Sequence, residues 1–392
     1  MGGLYGHLSH LHEDSELTFG EVKLIFHSIS KNLISFTEKV DGQAISVTWK
    51  GETLFARNKG HVQNRAENAL TLKEIKEKFE GRGDLTDAFC LAAEDINAAV
   101  ESLSDEVAFT IFKKGERFLN LEIIYPSSKN VIDYERNLIV PHGVISYNKT
   151  GNPMKEFPHL TKLFYHSLPL KEFSTFTVIT PNVLRSTQDT PVSSALLSFM
   201  DTYNLKDNDT IDKYLRSRWS AVVKKIKKSD KIDNTTKNGV INRLAYDDKS
   251  LTLGKLKQNS FKDFYEEFVD LEKNQAKKLR KEFLFPLETA FLSYSCDILD
   301  KIEGFIAPTN SRDKIKKEVE NSLVILSELE NISTHEIKRF YAIGGYDSLH
   351  HSEGIVFDYK KKSYKLTGSF AVVNQLLGAI KYGKYAPENQ IS

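Results

Sequence analysis

The sequence predicts an α+β fold in which twisted antiparallel β-structure is combined with a large helical insertion. Three observations predict it. Alternating β-branched and aromatic runs dominate roughly the first 180 residues, helical periodicity dominates residues 190–340, and a strand pair returns after residue 350. The order of strands, helices and strands indicates one α+β domain, built from residues 1–185 and 341–392, with a helical insertion at 190–340.

The composition is that of a globular protein. The chain has 392 residues, of which 40% are hydrophobic and 27% charged, with a net charge of +1. Its two cysteines, Cys90 and Cys296, form no CxxC pair, which argues against a zinc knuckle or a disulfide framework. The first residues, MGGLYGHLSHLHEDSEL, do not have the pattern of a secretory signal, so none is expected, and no apolar run approaches the ~20 residues that cross a bilayer. We therefore expect a cytoplasmic protein with no membrane partner.

Capping and alternation predict the first elements. Thr18 and Glu21 form a capping box, which predicts a helix over 19–31. Strands are predicted at 33–40, 44–51 and 53–58, and helices at 69–81 and 85–103. Residues 106–126 read as a β-hairpin with its turn at Lys114-Gly115.

The later elements follow from the same patterns. Further strands are predicted at 138–148 and 173–179. Helices are predicted at 192–205, 211–228, 261–283 and 311–330, and a strand pair over 351–368 precedes an apolar helix at 369–383.

The insertion differs in charge from the rest of the chain. Residues 216–282 contain 18 Lys plus Arg against 10 Asp plus Glu, a local balance of +8, which leaves −7 for the remainder. A basic helical face is suited to phosphate-backbone contact, and a lysine-rich solvated surface is the alternative. We expect the aromatic residues of this segment to pack inside it: Trp219, Tyr246, Phe261, Phe264, Tyr265 and Phe268.

Lys39 lies at the end of a predicted strand, two residues before an Asp-Gly pair. A lysine amine has a reference pKa of about 10.4, and it becomes a nucleophile when burial or nearby cations disfavour the ammonium form. Arg57, Lys59 and Lys365 are candidates for such cations. A lysine nucleophile among cations is suited to attack on the α-phosphate of a nucleoside triphosphate, with a divalent metal stabilising the transferred group.

Several segments resemble, in order, the motifs of covalent nucleotidyltransferases, a superfamily that includes ATP-dependent DNA ligases, RNA ligases and messenger-RNA capping enzymes. Lys39-Val40-Asp41-Gly42 resembles the KxDG nucleotidylation motif. Arg57-Asn58-Lys59-Gly60 resembles the second motif, and the strand carrying Glu122 resembles the third. Residues 138–147, with His142-Gly143, stand where the family has its next strand.

Two further segments complete the series. Glu353-Gly354-Ile355-Val356 matches the EGxV motif, and the segment around Lys365 resembles the last motif, whose lysines hold the α-phosphate. The stretches GHLSHLHEDSELTF, EKVDGQ, ARNKG, NVIDY and KLTGSFAVVNQLLG are also similar to a poorly characterised group of bacteriophage nucleotidyltransferase-like proteins.

The resemblance implies a ligase/capping-type nucleotidyltransferase fold and a covalent lysyl-AMP intermediate on Lys39. It implies nucleotide binding by Asp41, Gly42, Arg57, Lys59, Glu122 and Lys365, and a Mg²⁺ or Mn²⁺ ion at Glu122 and Glu353. ATP would be the nucleotide and a 5′-phosphate on RNA the acceptor, and the basic insertion would be the surface that contacts the nucleic acid. For a phage-encoded protein the location would be the host cytoplasm.

The chain departs from the pattern in three places. Thr367 stands where the last motif commonly has a second lysine, the insertion separates Glu122 from Glu353 by about 230 residues, and only 25 residues follow Thr367. The last point leaves no room for a C-terminal OB-fold, which favours the RNA-ligase-like branch. A DNA ligase, a GTP-using capping-type guanylyltransferase and a non-catalytic nucleotide-binding phage protein remain alternatives.

The histidines at positions 7, 10 and 12 are a separate question. His7, His10 and His12 do not have a recognised zinc spacing, and Glu13 and Asp14 beside them are suited to the start of a helix. The alternative to a metal site is that these histidines contact the nucleotide pocket.

Overall fold

A computed structural model of the chain describes residues 8–218, 273–328 and 334–381. Its α-helices are α1 (Phe19–Ser30), α2 (Leu72–Phe79), α3 (Asp84–Glu101), α4 (Asp105–Phe112), α5 (Pro158–Ser167), α6 (Ser194–Thr202), α7 (Lys273–Leu299), α8 (Ser311–Glu328), α9 (Thr334–Ala342) and α10 (Phe370–Lys381). Residues 211–218 are also helical.

The strands are β1 (Ser9–His10), β2 (Phe36–Lys39), β3 (Gln43–Trp49), β4 (Thr53–Ala56), β5 (Arg117–Ile124), β6 (Leu138–Tyr147), β7 (Pro153–Glu156), β8 (Thr177–Val178), β9 (Arg185–Ser186), β10 (Ile302–Glu303), β11 (Gly354–Tyr359) and β12 (Lys362–Leu366). The mixed content, with several antiparallel sheets, confirms the predicted α+β class.

Two sheets carry most of the strands. One has four strands in the order β1-β12-β11-β2, antiparallel except that β1 runs parallel to β12. The other contains β4-β3-β5-β6-β7 in antiparallel order, with β8 paired parallel to β6. β2 and β3 are consecutive in sequence but belong to different sheets, so the turn between them joins the two sheets.

Most predicted elements are found close to their expected bounds. The Thr18 hydroxyl accepts a hydrogen bond from the Glu21 N–H, and the Glu21 side chain accepts one from the Thr18 N–H, so the capping box that starts α1 is confirmed. The strand predicted over 173–179 is reduced to the two residues of β8.

The hairpin predicted over 106–126 is wrong in its first half, where the chain forms α4. The Ser104 hydroxyl caps this helix by accepting from the Val107 N–H, and two acidic residues lie in its first turn. Ala108, Ile111 and Phe112 are buried at helical spacing. A short run of β-branched and aromatic residues fits either structure, and here the cap and the three-and-four spacing outweigh strand propensity. The second half, β5, is a strand as predicted.

The helices cover the outer faces of both sheets. α2 to α5 pack on one face of the six-stranded sheet, and α1, α6 and α7 pack on one face of the four-stranded sheet. α8, α9 and α10 enclose a third cluster that includes Val40, in the turn between β2 and β3. The described helices of 190–340 thus share cores with the sheets, and the domain division at 190 and 340 stays a prediction.

Residues 219–272, which contain most of the basic segment 216–282 and its aromatic residues, lie outside the described residues, as does His7. The helices predicted at 211–228 and 261–283 fall partly in the same segment. Cys90 and Cys296 lie in α3 and α7 and are both free thiols, as expected.

Candidate active site

Lys39 is the last residue of β2 and lies at the junction of the two sheets. Its Nζ is 2.6 Å from Oε1 of Glu353, and its side chain is 21% exposed. The backbone register pairs Lys39 with Gly354, so Glu353 immediately precedes the residue opposite Lys39. Neighbouring strands therefore bring together two residues that are more than 300 positions apart in sequence.

Gly354 permits this pairing. It has a φ of 143°, and a Cβ at this position would lie 1.9 Å from the carbonyl oxygen of Leu366. Any side chain here would push β11 away from β12. The glycine that follows Glu353 is thus required by the close approach of these two strands.

The charges nearest to Lys39 are negative. Burial lowers the pKa of Lys39, but the carboxylates of Glu353, Glu122 and Asp41 outweigh it, so the net pKa lies above its ordinary value. The expectation that cations would depress this pKa is therefore wrong, because carboxylates are the main charged neighbours and stabilise the ammonium. Burial, with the nearby Asp41 and Glu122, raises the pKa of Glu353 in spite of Lys39.

Asp41 folds back onto the loop before β6. Its Oδ2 accepts hydrogen bonds from the backbone N–H groups of Val131 (2.8 Å) and Ile132 (2.9 Å), and Oδ1 accepts from Asn130 Nδ2 (3.1 Å). The Asp41 N–H lies 2.9 Å from the Tyr134 hydroxyl. The carboxylate is buried, and burial raises its pKa. Asp41 therefore fixes the turn that carries Lys39 instead of pointing at a ligand.

Gly42 allows β5 to approach the same turn. Its N–H donates to Glu122 Oε1 at 2.8 Å. A Cβ on Gly42 would lie 2.5 Å from the carbonyl oxygen of Ile123 and 2.8 Å from Cγ of Glu122. The Asp-Gly pair is thus explained by the hydrogen bonds of Asp41 to the loop before β6 and by the close approach of β5 to Gly42. Gly42 also orients Glu122 toward Lys39.

His142 holds the other oxygen of Glu122. The register between β5 and β6 shifts here, because Asn120 pairs with Gly143 and Leu121 with Pro141, which leaves His142 as the extra residue of a β-bulge. Its Nε2 lies 2.7 Å from Glu122 Oε2. Burial raises the pKa of Glu122, but His142 and Lys39 outweigh it and the net pKa is lowered.

Lys365 lies on the same face of the four-stranded sheet as Lys39. It pairs with Val356, which also pairs with Thr37, two residues before Lys39. Two strand spacings separate the two lysines, so their backbones are about 10–12 Å apart. His10 pairs with Lys365 from β1, and the rings of His10 and His12 stack at 5.0 Å. Lys365 can thus reach a ligand that spans this face.

Arg57 and Lys59 lie apart from the Lys39 cluster. Arg57 follows β4, and its guanidinium lies 4.5 Å from the ring centre of Phe89 and 5.6 Å from that of Phe79. These rings belong to the helices that cover the outer face of the six-stranded sheet. Lys59 Nζ donates to Asn152 Oδ1 at 2.5 Å. The nucleotide contacts predicted for these two residues are therefore not supported by where their side chains lie.

The carboxylates partly fit a divalent cation. Within the described ranges, no group of three or more His, Cys, Asp or Glu side chains is arranged to hold a metal ion, the His10–His12 region included. Mg²⁺ is commonly held by one or two carboxylates together with substrate phosphates, and Glu122 and Glu353 supply two carboxylates beside Lys39. A metal here would need ligand oxygens to complete its coordination.

Sequence reasoning missed several residues that build the site. Tyr134 and Asn130 hold the Asp41 turn, and His142 holds Glu122. Ser352 is buried, and both its hydroxyl (2.8 Å) and its N–H (3.2 Å) contact His350 Nδ1, which fixes the residue before Glu353. Two of these segments carried a signal in the sequence: NVIDY, residues 130–134, stood among the stretches with a family resemblance, and His142 was noted in the strand after the third motif without a role.

No family model matches the chain, and no curated protein matches it. Among the described residues there is no helix that is both long and apolar enough to span a membrane.

Proposed function

We propose that the protein is a covalent nucleotidyltransferase of the ATP-dependent RNA-ligase type, with the twisted-sheet fold of that superfamily. The observation that carries the proposal is the meeting of Lys39, Glu353 and Glu122 at the junction of two sheets. Bringing a lysine and two carboxylates together with side chains only 10–21% exposed costs desolvation energy that neither sheet needs to spend in order to fold. The ordered motif resemblance gives the same assignment.

In the first step, Lys39 attacks the α-phosphorus of ATP. The ammonium first gives one proton to Oε1 of Glu353, which lies 2.6 Å from Nζ. The N–P bond then forms while the bond from the α-phosphorus to the β-phosphate oxygen breaks. The second proton of the nitrogen leaves with the pyrophosphate, and Lys39 retains AMP as a phosphoramidate.

The other residues orient this step. Asp41 and Gly42 hold the turn behind Lys39, and His142 holds Glu122. Lys365 stands on the same sheet face for contact with phosphate oxygens. Glu122 and Glu353 would hold the Mg²⁺ or Mn²⁺ ion, which supplies neutralisation of charge on the phosphoryl group.

The later steps use the adenylate. An oxygen of an RNA 5′-phosphate attacks the phosphorus of lysyl-AMP, the P–N bond breaks, and Lys39 regains its protons. A 3′-hydroxyl then attacks the activated 5′-phosphate, which seals the strand and releases AMP.

An adduct assay tests the proposal. The full-length protein is incubated with each of the four α-labelled nucleoside triphosphates and Mg²⁺, alongside Lys39→Ala and the control Lys31→Ala. Lys31 is a surface lysine paired with Asp189, outside the site. We expect a labelled adduct with ATP in the wild type and the control, and none in Lys39→Ala. An adduct that survives in Lys39→Ala would overturn the proposal.

The same assay separates the alternatives. Labelling by GTP would indicate a capping-type enzyme. In a separate sealing assay, a preference for nicked DNA over nicked RNA would indicate a DNA ligase. A non-catalytic nucleotide-binding protein is favoured by one observation: Thr367 is buried and its Oγ1 has no hydrogen-bond partner among the described residues, so a small side chain fills the place of a phosphate-binding lysine. Tight ATP binding without any adduct would identify that case.

A further inference from the structure

Arg57 presents a half-buried guanidinium with no acidic partner. It lies over Phe89 at 4.5 Å and Phe79 at 5.6 Å, and within the described residues its side chain has no hydrogen-bond acceptor or ion pair. Buried arginines are normally paired with an acid. Ring stacking uses the faces of the guanidinium and leaves its in-plane N–H donors available.

The charges around Arg57 are positive. The guanidinium of Arg82 lies 5.2 Å from the ring centre of the same Phe79. Burial, and then the charge of Arg82, lower the pKa of Arg57. Burial, and then Lys78 and Arg57, lower the pKa of His61, whose Nδ1 accepts from the Arg57 N–H at 3.1 Å. Like charges held close together repel each other, and a bound anion would offset that repulsion.

The cluster does not face the Lys39 site. Arg57 follows β4 in line with Ile45 and Leu121, whose side chains lie under α2 and α3, whereas Glu122 points to the opposite face. Two strand spacings, about 10 Å, separate the backbones of Arg57 and β5. An ATP molecule bound at Lys39 would therefore lie on the other side of the sheet, while a polynucleotide could pass from one face to the other around the end of the sheet at β4.

We propose that Arg57, Lys78 and Arg82 form a phosphate-binding site for the backbone of the polynucleotide acceptor. The identity of the acceptor rests on the proposed function. Arg57 is pre-oriented by its two rings, and the exposed Lys78 and Arg82 supply further positive charge at the surface. Three phosphate contacts on single-stranded RNA would contribute about −2 to the slope of log K against log salt concentration.

The test is fluorescence anisotropy with a short 5′-phosphorylated oligoribonucleotide, measured over a range of salt concentrations. Lys78→Ala/Arg82→Ala is compared with Lys31→Ala/Lys73→Ala in the full-length protein. The control removes the same charge from lysines that have acidic partners, Asp189 and Glu77. Lys73 lies on α2, like Lys78, but about 140° around the helix from it.

We expect Lys78→Ala/Arg82→Ala to weaken binding by about 10- to 30-fold at 0.1 M salt and to reduce the salt slope by about 1.4, with little change in the control. Equal losses in both double variants would overturn the proposal, because binding would then depend on net charge alone. Complete competition by ATP or pyrophosphate would also overturn it, since the phosphate site would then belong to the nucleotide pocket.

Adduct formation separates this proposal from the proposed function. Both double variants should form lysyl-AMP at the wild-type rate, which also shows that they are folded. Lost oligonucleotide binding in a protein that forms no adduct with any triphosphate would support the phosphate site and refute the nucleotidyltransferase. A normal adduct together with unchanged oligonucleotide binding in Lys78→Ala/Arg82→Ala would support the nucleotidyltransferase and refute the phosphate site.

Discussion

Glu38 gives a prediction that can be worked through in energy. It precedes Lys39 on β2 but points to the opposite face of the sheet, where it pairs with Ile355 over the apolar core. It is 1% exposed, its Oε2 accepts from the Ile306 N–H at 2.9 Å, and its Oε1 has no partner in the described part of the chain. Burial raises its pKa from 4.5 to about 8.

This pKa links stability to pH. The folded state binds the Glu38 proton more tightly than the unfolded state, so the stability it provides is complete below pH 4.5 and is lost as the pH rises toward about 8. At about 1.36 kcal/mol for each pH unit, the loss approaches about 5 kcal/mol, a large part of the 5–15 kcal/mol typical of a folded protein. Glu38→Gln mimics the protonated form and should remove this loss.

The assay is urea unfolding of the wild type and Glu38→Gln at pH 5, 7 and 9. We expect free energies of unfolding within about 1 kcal/mol of each other at pH 5, and a variant more stable by about 3–5 kcal/mol at pH 9. Glu353 titrates in the same range, but it is present in both proteins and cancels in the comparison. Parallel pH curves for the two proteins would refute the reasoning.

Three further predictions concern the site. Gly42→Ala should abolish adduct formation, because a Cβ would lie 2.8 Å from Cγ of Glu122 and 2.5 Å from a backbone oxygen; an unchanged adduct rate would contradict this contact. His142→Ala should raise the pKa of Glu122 and slow adduct formation about tenfold, whereas the control Lys59→Ala should have no effect. A shift in the pH–rate profile would report the change in the pKa of Glu122. Asp41→Ala should lower the free energy of unfolding by about 2–3 kcal/mol in urea, since the buried backbone N–H groups of Val131 and Ile132 would lose their acceptor, and unchanged stability would refute this role.

The fold was predictable where local signals agree. The α1 capping box and the alternation of β2, β3 and β4 predicted those elements closely. The segment 107–112 was not predictable from alternation, because its apolar run suits a strand while the cap at Ser104 starts a helix. The separation of the strands into two sheets depends on pairing between distant segments, which local patterns do not specify.

The part of the site that could be predicted is the set of residues that the ordered motifs identify. Lys39, Glu122 and Glu353 do converge. Arg57 was misplaced because the face to which a residue points depends on where its strand pairs, and here it lies on Phe89. The role of His142 depends on a one-residue bulge, and a shift of one residue in register is not visible in a single sequence.

Mapping the modified residue tests the central claim most directly. The full-length protein is incubated with ATP and Mg²⁺, digested, and examined by peptide mass spectrometry for the mass of a covalent AMP. We predict one modified peptide, with AMP on Lys39. AMP on any other residue, or unmodified Lys39 in protein that has bound ATP, would contradict the account.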